Sequence, residues 1–256
     1  KSVGNEANYD AAVAEAPVIN LGINVVATQD TVERDSFDET YDKNAQYPEV
    51  SYAQVSSQED LNAALTSPTD ANGNPTKKVA VELKNAGTYT LPSLASKDVT
   101  IIGTKDTVID MKGKINNNAT SVAFEGVTVA FSNDIYVGFQ HTGKLTYKDC
   151  TITGKQFLYA TDVEFINCTF VQDVADYNVW TYGAGSVLFK GCTFSCAGKA
   201  VLIYNEGTLT AQNVEFQDCK FNASASVTGK AAIEIDCTYT SYNVVIDEAT
   251  AANVTG

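Results

Sequence analysis

Val163–Phe170 reads VEFINCTF, Val187–Phe194 reads VLFKGCTF and Val214–Phe221 reads VEFQDCKF. In each octapeptide an apolar and an aromatic residue stand two places apart, the alternation of a strand with one buried face. Next comes Asn167, Gly191 or Asp218, residue types that accept a left-handed backbone at low cost. Cys and Phe then alternate around a Thr or Lys. One octapeptide is therefore two short strands joined by a tight left-handed corner.

Looser copies lie upstream: VTIIGT from Val99, VAFEGVTV from Val122 and LTYKDCTI from Leu145. The six copies start 23, 23, 18, 24 and 27 residues apart, a mean of 23. A sustained period in this range signals stacked structural repeats. The bulky inward position is held in turn by Ile101, Phe124, Tyr147, Phe165, Phe189 and Phe216, and the corner by Gly103, Gly126, Asp149, Asn167, Gly191 and Asp218. Five copies continue into a second strand with inward Val127/Val129, Cys150/Ile152, Cys168/Phe170, Cys192/Phe194 and Cys219/Phe221, and outward Thr128, Thr151, Thr169, Thr193 and Lys220. The first copy departs, because Thr104 and Asp106 are polar. A third apolar stretch separates the motifs: DIYVGF from Asp134, QFLYA from Gln156, NVWTYG from Asn178, AVLIYN from Ala200 and AIEID from Ala232. Three short strands per period describe one coil of a parallel β-solenoid, each coil pairing with its neighbours at about 4.8 Å.

The cysteines fit this arrangement. Cys150, Cys168, Cys192 and Cys219 share one inward position, and in-register Cβ atoms about 4.8 Å apart exceed the usual disulfide range of about 3.5–4.5 Å, so free, buried thiols are expected. Cys196 stands outside that row, and its pairing with Cys192 or Cys237 stays open.

The pattern resembles the right-handed parallel β-helices of the pectin-lyase-like superfamily, where an Asn or Gly corner falls between the second and third strands of each coil. The resemblance covers residues 76–256 and is one of fold. Upstream, SQEDLNAALTS offers Ser56 or Ser57 as an N-cap and Leu61, Ala64 and Leu65 as an apolar stripe, a short helix at about 57–67. KVAVEL, GTYTLP and DVTIIG follow, much like the amphipathic cap and first coil of that superfamily. The expectation is an all-β chain: a right-handed parallel β-helix of about 6–7 coils of roughly 23 residues with a short N-terminal capping helix. It occupies residues 51–256, behind a partly irregular, acidic N-terminal arm over residues 1–50. The C-terminal coil shows no evident cap.

Function is less legible. With 31 acidic against 17 basic residues and a formal charge of −14, nucleic acid and polyanionic surfaces are disfavoured as partners. No run of 18 apolar residues exists, so no membrane insertion is expected. The chain begins at Lys1 without a leader, which fits a removed signal peptide or a trimmed chain, and an extracellular or cell-surface location is expected. Members of the superfamily that act on pectin use Lys or Arg beside Asp-bound calcium, clustered Asp with His, or paired Asp with Arg. Here the single arginine is Arg34, in the arm, and the single histidine is His141, expected in a loop away from the third-strand row. Asp70, Asn72 and Asn74 form a surface turn without the Gly and Glu of a calcium loop. No catalytic residue, metal or cofactor is assigned.

The candidate ligand-binding residues are aromatic. With Ile135, Val137 and Phe139 inward, Tyr136 faces out. Aligning the Gly-Lys pairs at Gly154 and Gly198 sets Leu158 with Leu202 inward and Tyr159 outward. Trp180 and Tyr182 share a face of the next coil. A vertical row of Tyr136, Tyr159 and Trp180 or Tyr182 would stack the apolar faces of sugar rings. Glu234 and Asp236 alternate with Ile233 and Ile235, so both carboxylates face outward about 7 Å apart. The expected function is a non-catalytic, adhesin-like secreted or cell-surface module that presents or binds glycans, with a protein partner or second copy engaged through the arm or the uncapped C-terminal coil. A virion fibre, spike or decoration protein and a divergent polysaccharide lyase or glycoside hydrolase are the alternatives.

Overall fold

The computed structural model describes residues 50–113, 115–172, 176–196, 199–205, 211–222, 231–236 and 241–252. The arm expected before residue 50, with Arg34, and Cys237 lie outside the described residues. Val50 already begins a strand, Val50–Val55, which the sequence reading did not anticipate.

The chain is all-β, built of long parallel sheets. A first ladder stacks Val50–Val55, Lys78–Leu83, Asp98–Ile102, Ser121–Glu125, the later halves of Val137–Lys148 and Gln156–Ile166, then Ser186–Lys190, Ala211–Gln217 and Ser241–Ile246. A second runs from Gly87–Tyr89 through Thr107–Asp110, Thr128–Ala130, Thr151–Thr153, Thr169–Gln172 and Thr193–Cys196 to Lys220–Phe221. A third takes Ile115–Asn117, the early halves of Val137–Lys148 and Gln156–Ile166, then Val179–Trp180, Val201–Tyr204 and Ile233–Asp236. The strand pairs within these ladders are parallel, and the chain visits the three ladders in turn, once per sequence repeat.

Register follows the octapeptide. Val163 pairs with Val187 and Val187 with Val214, while Phe165, Phe189 and Phe216 align. Their rings stack nearly parallel in one column: Tyr147 on Phe165 at 4.8 Å, Phe165 on Phe189 at 5.0 Å, Phe189 on Phe216 at 4.9 Å. Phe170, Phe194 and Phe221 form a second column, at 4.4 and 4.7 Å. All ten residues expected inward on the second strands are buried. The row of four cysteines is free and buried, and each thiol donates to a carbonyl of the preceding coil, as from Cys168 Sγ to Tyr147 O at 3.4 Å. Cys196 is also free and faces inward, and burial pushes its thiol up to about 12.

Five of the six expected corner residues are left-handed: Gly126, Asp149, Asn167, Gly191 and Asp218, with φ between 49° and 71°. Gly103 is the exception. It is small because a Cβ there would lie 2.8 Å from Val127 Cγ1. The first copy also has a second strand after all, Thr107–Asp110, which starts a few residues late and buries Thr107 and Ile109. The corner N–H groups form their own ladder, each donating to the coil above: Asp149 to Ile166 O, Asn167 to Lys190 O, Gly191 to Gln217 O.

Both ends of this stack carry helices. Gln58–Thr66 is N-capped by Ser57, and its Leu61 and Leu65 are buried against the first coils. Against the expectation of an uncapped C-terminal coil, a short helix, Glu248–Ala251, follows Asp247. Asp247 Oδ2 accepts from the corner N–H of Asp218 and Thr250 Oγ1 from that of Cys219, taking the place of a further coil at that corner. Elsewhere on the last coil Ile235, Tyr242, Val245 and Ile246 are exposed.

Candidate functional site

The outer face of the third ladder is the candidate site. Gln156 pairs with Val137 and Val179, and Val179 pairs with Val201 and Val201 with Ile233, which sets the inward row. The adjacent outward row is Gly138, Phe157, Trp180, Leu202 and Glu234. Two places on, Tyr159 and then Tyr204 and Asp236 point out as well. Expected outward positions Tyr159, Trp180, Tyr182, Glu234 and Asp236 thus lie on this face.

Three expectations need correction. Leu202 faces outward beside Trp180, not inward with Leu158: the Gly-Lys alignment is off by one residue, and a one-residue slip moves a whole strand to the other face. Correct register exposes Tyr204, which the misalignment had hidden, and Phe157 joins the same surface. Ile135 is 54% exposed rather than inward, because regular pairing starts only at Val137. His141 is not in a remote loop but within Val137–Lys148, at the end of the third ladder. Gln140 pairs with Tyr159 and Thr142 with Ala160, leaving His141 as the extra residue of a β-bulge with φ of 55°.

The rings do not form a flat vertical platform. They interlock edge to face: Tyr136 on Trp180 at 5.1 Å, Trp180 on Tyr182 at 4.9 Å and on Tyr204 at 5.3 Å, Tyr159 on Tyr182 at 5.6 Å. His141 packs on Tyr159 with centroids 4.4 Å apart. This geometry suits the aromatic quadrupole and fixes the rings while leaving each partly exposed.

Two braces flank the cluster, each spanning three coils. The Tyr136 hydroxyl donates to Asp176 Oδ1 at 3.0 Å, and Lys155 Nζ lies 5.0 Å above the Tyr136 ring and 3.1 Å from Asp176 Oδ2. Two coils on, the Tyr177 hydroxyl donates to Glu234 Oε2 and Lys199 Nζ lies 4.9 Å over the Tyr177 ring. The order tyrosine, lysine, carboxylate is the same in both. Burial, and then the Asp176 charge, push the Tyr136 hydroxyl well above its ordinary range, so it stays a donor. Glu234 is therefore engaged in a brace, whereas Asp236 is exposed beyond it. Lys155, Asp176 and Tyr177 escaped the sequence reading because braces across coils join residues 21 to 57 positions apart.

A second feature of this face is an open recess of about 260 Å³ where the third ladder turns into the first, lined by His141, Thr142, Tyr159, Gly143, Gly183 and Gly185. The outer face of the first ladder has a groove of about 250 Å³ lined by Asp162, Glu164 and Glu215. Its acids are partnered: Asp162 by Ser186 at 2.6 Å and Glu164 by Lys144 at 3.0 Å.

No family model, curated protein or solved structure matches this chain. The chemistry of the face must carry the functional argument. Among the described residues no group of three or more His, Cys, Asp and Glu is placed to hold a metal, and no helix is long and apolar enough to cross a membrane. The face offers ring surfaces, hydroxyls and two acids, a combination that stacks on apolar rings and hydrogen-bonds around them.

Proposed function

We propose that the chain is a right-handed parallel β-helix, akin to the pectin-lyase-like superfamily, that serves as a non-catalytic secreted or cell-surface module binding neutral glycans along the outer face of the third ladder. The observation that carries this reading is the clustering of Phe157, Tyr159, Trp180, Tyr182 and Tyr204 on one face over three successive coils, partly exposed and held by mutual ring contacts. Contiguous exposed apolar surface rimmed by polar groups marks a binding site. Coils repeat about every 4.8 Å, close to the advance of one sugar unit along an extended chain, so a glycan parallel to the stack would meet comparable ring surface at each step. The charge of −14 and the carboxylates of Asp176, Glu234 and Asp236 favour a neutral over an anionic chain. Non-catalytic action fits the commitment of Glu234 and Asp176 to the braces.

An array of neutral and acidic polysaccharides tests the proposal. Retention of neutral glycans without released product, weakened at least about tenfold by a Trp180→Ala variant that still unfolds in one cooperative transition, is expected. Released product, or retention indifferent to Trp180, would overturn it.

A further inference from the structure

The two ends of the coil stack are finished differently. At the first, Val55 and the helix residues Leu61 and Leu65 are at most 1% exposed, so the cap helix seals the core there. At the last, the inward row runs through Ile233 and Ile235 to Tyr242, Val244 and Ile246, in register with Val201, Ile203, Gln212, Val214 and Phe216 of the coil before. Those five register partners are at most 1% exposed, whereas Ile235, Tyr242 and Ile246 are 41–44% exposed. The short helix Glu248–Ala251 covers one corner and leaves this row open. Of the six large apolar side chains that the described residues expose, four lie on this single coil: Ile235, Tyr242, Val245 and Ile246.

The strand that ends the first ladder, Ser241–Ile246, pairs on one side with Ala211–Gln217 and, among the described residues, leaves its other edge unpaired. Proteins that stay monomeric blunt such an edge with lysine, proline or an inward charge, and SYNVVI has none of these. The opposite end narrows what can close it. A copy stacked head to tail would lay the apolar row on the outer face of the cap helix, where Glu59, Asp60, Asn62 and Thr66 are exposed. A copy turned tail to tail brings like surface to like. When two such strands pair antiparallel about a two-fold axis at Val244, Tyr242 stands opposite Ile246 of the second copy, Asn243 opposite Val245, and Val244 opposite itself. Directly opposite residues share a face of the sheet, so the inward row of one copy continues into that of the other. A register centred between two residues would set inward against outward and leave both rows solvated. The corner that follows one strand then lies opposite the corner that precedes the other. Each short helix, with Ala249 and Ala251 exposed, thereby faces the open end of the second copy's third ladder.

We infer that the open end is an interface between two copies of this chain, a closed tail-to-tail dimer in which Ser241–Ile246 pairs with itself across a two-fold axis at Val244 and the two cores join. The contact uses up the same surface on both copies, so assembly stops at two rather than growing into a filament. Each copy carries a charge of −14, and Asp236, Asp247 and Glu248 flank the contact, so the dimer tightens as salt rises. The rings from Phe157 to Tyr204 sit on earlier coils, and the inference does not rest on the glycan reading.

Sedimentation equilibrium of the full chain, loaded at about 1 to 200 μM, reads the assembly. The mass should rise from one chain to two and no further, and the two-chain fraction should grow with salt. Val244→Lys sets two ammonium groups against each other on the axis and should weaken association at least about tenfold. A milder variant keeps the test independent of folding. Val244→Cys places two thiols on opposed residues whose Cα atoms lie about 4.5–5.5 Å apart, within disulfide reach, and should give a covalent dimer on mild oxidation beyond any that the unaltered chain gives. Asn243→Cys, whose opposite residue is Val245, should add none. One chain at every loading, a mass that keeps growing past two, association that Val244→Lys leaves intact, or crosslinking through Asn243→Cys rather than Val244→Cys would each overturn the inference.

Discussion

Left-handed residues stand at two corners in several of the coils, and the two corners use them differently. Between the first and second ladders stand Gly126, Asp149, Asn167, Gly191 and Asp218, all cheap in that conformation. Between the third and first stand Ser96, Asn118, His141 and Tyr182, with φ from 41° to 60°. For Tyr182 in particular that backbone is unfavourable. The first corner repeats because it only has to turn the chain and keep two columns of stacked rings in register. The second varies from coil to coil, carries a bulge, and borders both the aromatic face and the recess. Regularity marks the scaffold here, and costly irregularity marks the surface that the scaffold presents.

The largest effect that would separate these regions is on stability. Phe165 touches Tyr147 below and Phe189 above in the column behind the regular corner. Phe165→Ala should cost about 3–5 kcal/mol, because the coils on either side are held by the strand ladder and cannot collapse into the gap. Trp180→Ala on the outer face leaves no enclosed void and should cost well under half of that while removing glycan retention. Urea unfolding of the two variants measures the difference; equal losses would mean that the aromatic face is core.

Unequal effects are expected at the corners themselves. Asn167→Ala gives up a residue suited to φ of 53° and the hydrogen bond from Asn167 Nδ2 to Asp149 Oδ1 at 3.2 Å, a loss of about 1–2 kcal/mol. His141→Asn exchanges one residue type that accepts this backbone for another and should change stability by less than about 0.5 kcal/mol. Thermal unfolding of both reads the comparison directly. A destabilised His141→Asn would show that the imidazole serves the fold.

The same contrast explains what was legible in the sequence. The octapeptide announced strand, corner and strand because its alternation and its Gly, Asn or Asp obey local rules, and the burial of Phe165, Cys168 and Phe170 follows from them. The capping helix was legible from Ser57 and its apolar stripe. The strands of the third ladder were legible too, but which of their residues face out was not, because the strands are introduced by segments of different length. Gly154-Lys155 stands directly before Gln156, whereas Ala200 intervenes between Lys199 and Val201, so aligning the Gly-Lys pairs shifts the faces and hides Tyr204. Tyr136, Tyr159, Trp180 and Tyr182 were identifiable as residues, but their edge-to-face contacts depend on side-chain packing that periodicity does not encode. The bulge at His141 is a single extra residue, invisible without its partner strand.

The smallest expected effect lies where the regular corner ends. Every corner N–H from Gly126 to Gly191 donates to a backbone carbonyl of the next coil, but that of Asp218 donates to the Asp247 side chain at 2.9 Å. The Asp247 carboxylate also accepts from Thr250 N at 2.8 Å. Hydrogen bonds from the Thr250 side chain and backbone, then from the Asp218 backbone, hold its pKa below the ordinary carboxyl range. A carboxyl lowered in the folded state stabilises fully above its unfolded value of about 3.9, and the contribution fades as the pH falls from there through the lower folded value. Asp247→Ala should therefore lower the melting temperature at neutral pH and narrow its gap to the wild type towards about pH 3. Because a carboxylate at this position closes a ladder that backbone closes everywhere else, the gap should depend on pH only here: Gly191→Ala, at a corner whose N–H meets the backbone carbonyl of Gln217 and where an added Cβ would meet Asn167, should show a melting deficit that stays constant over the same range.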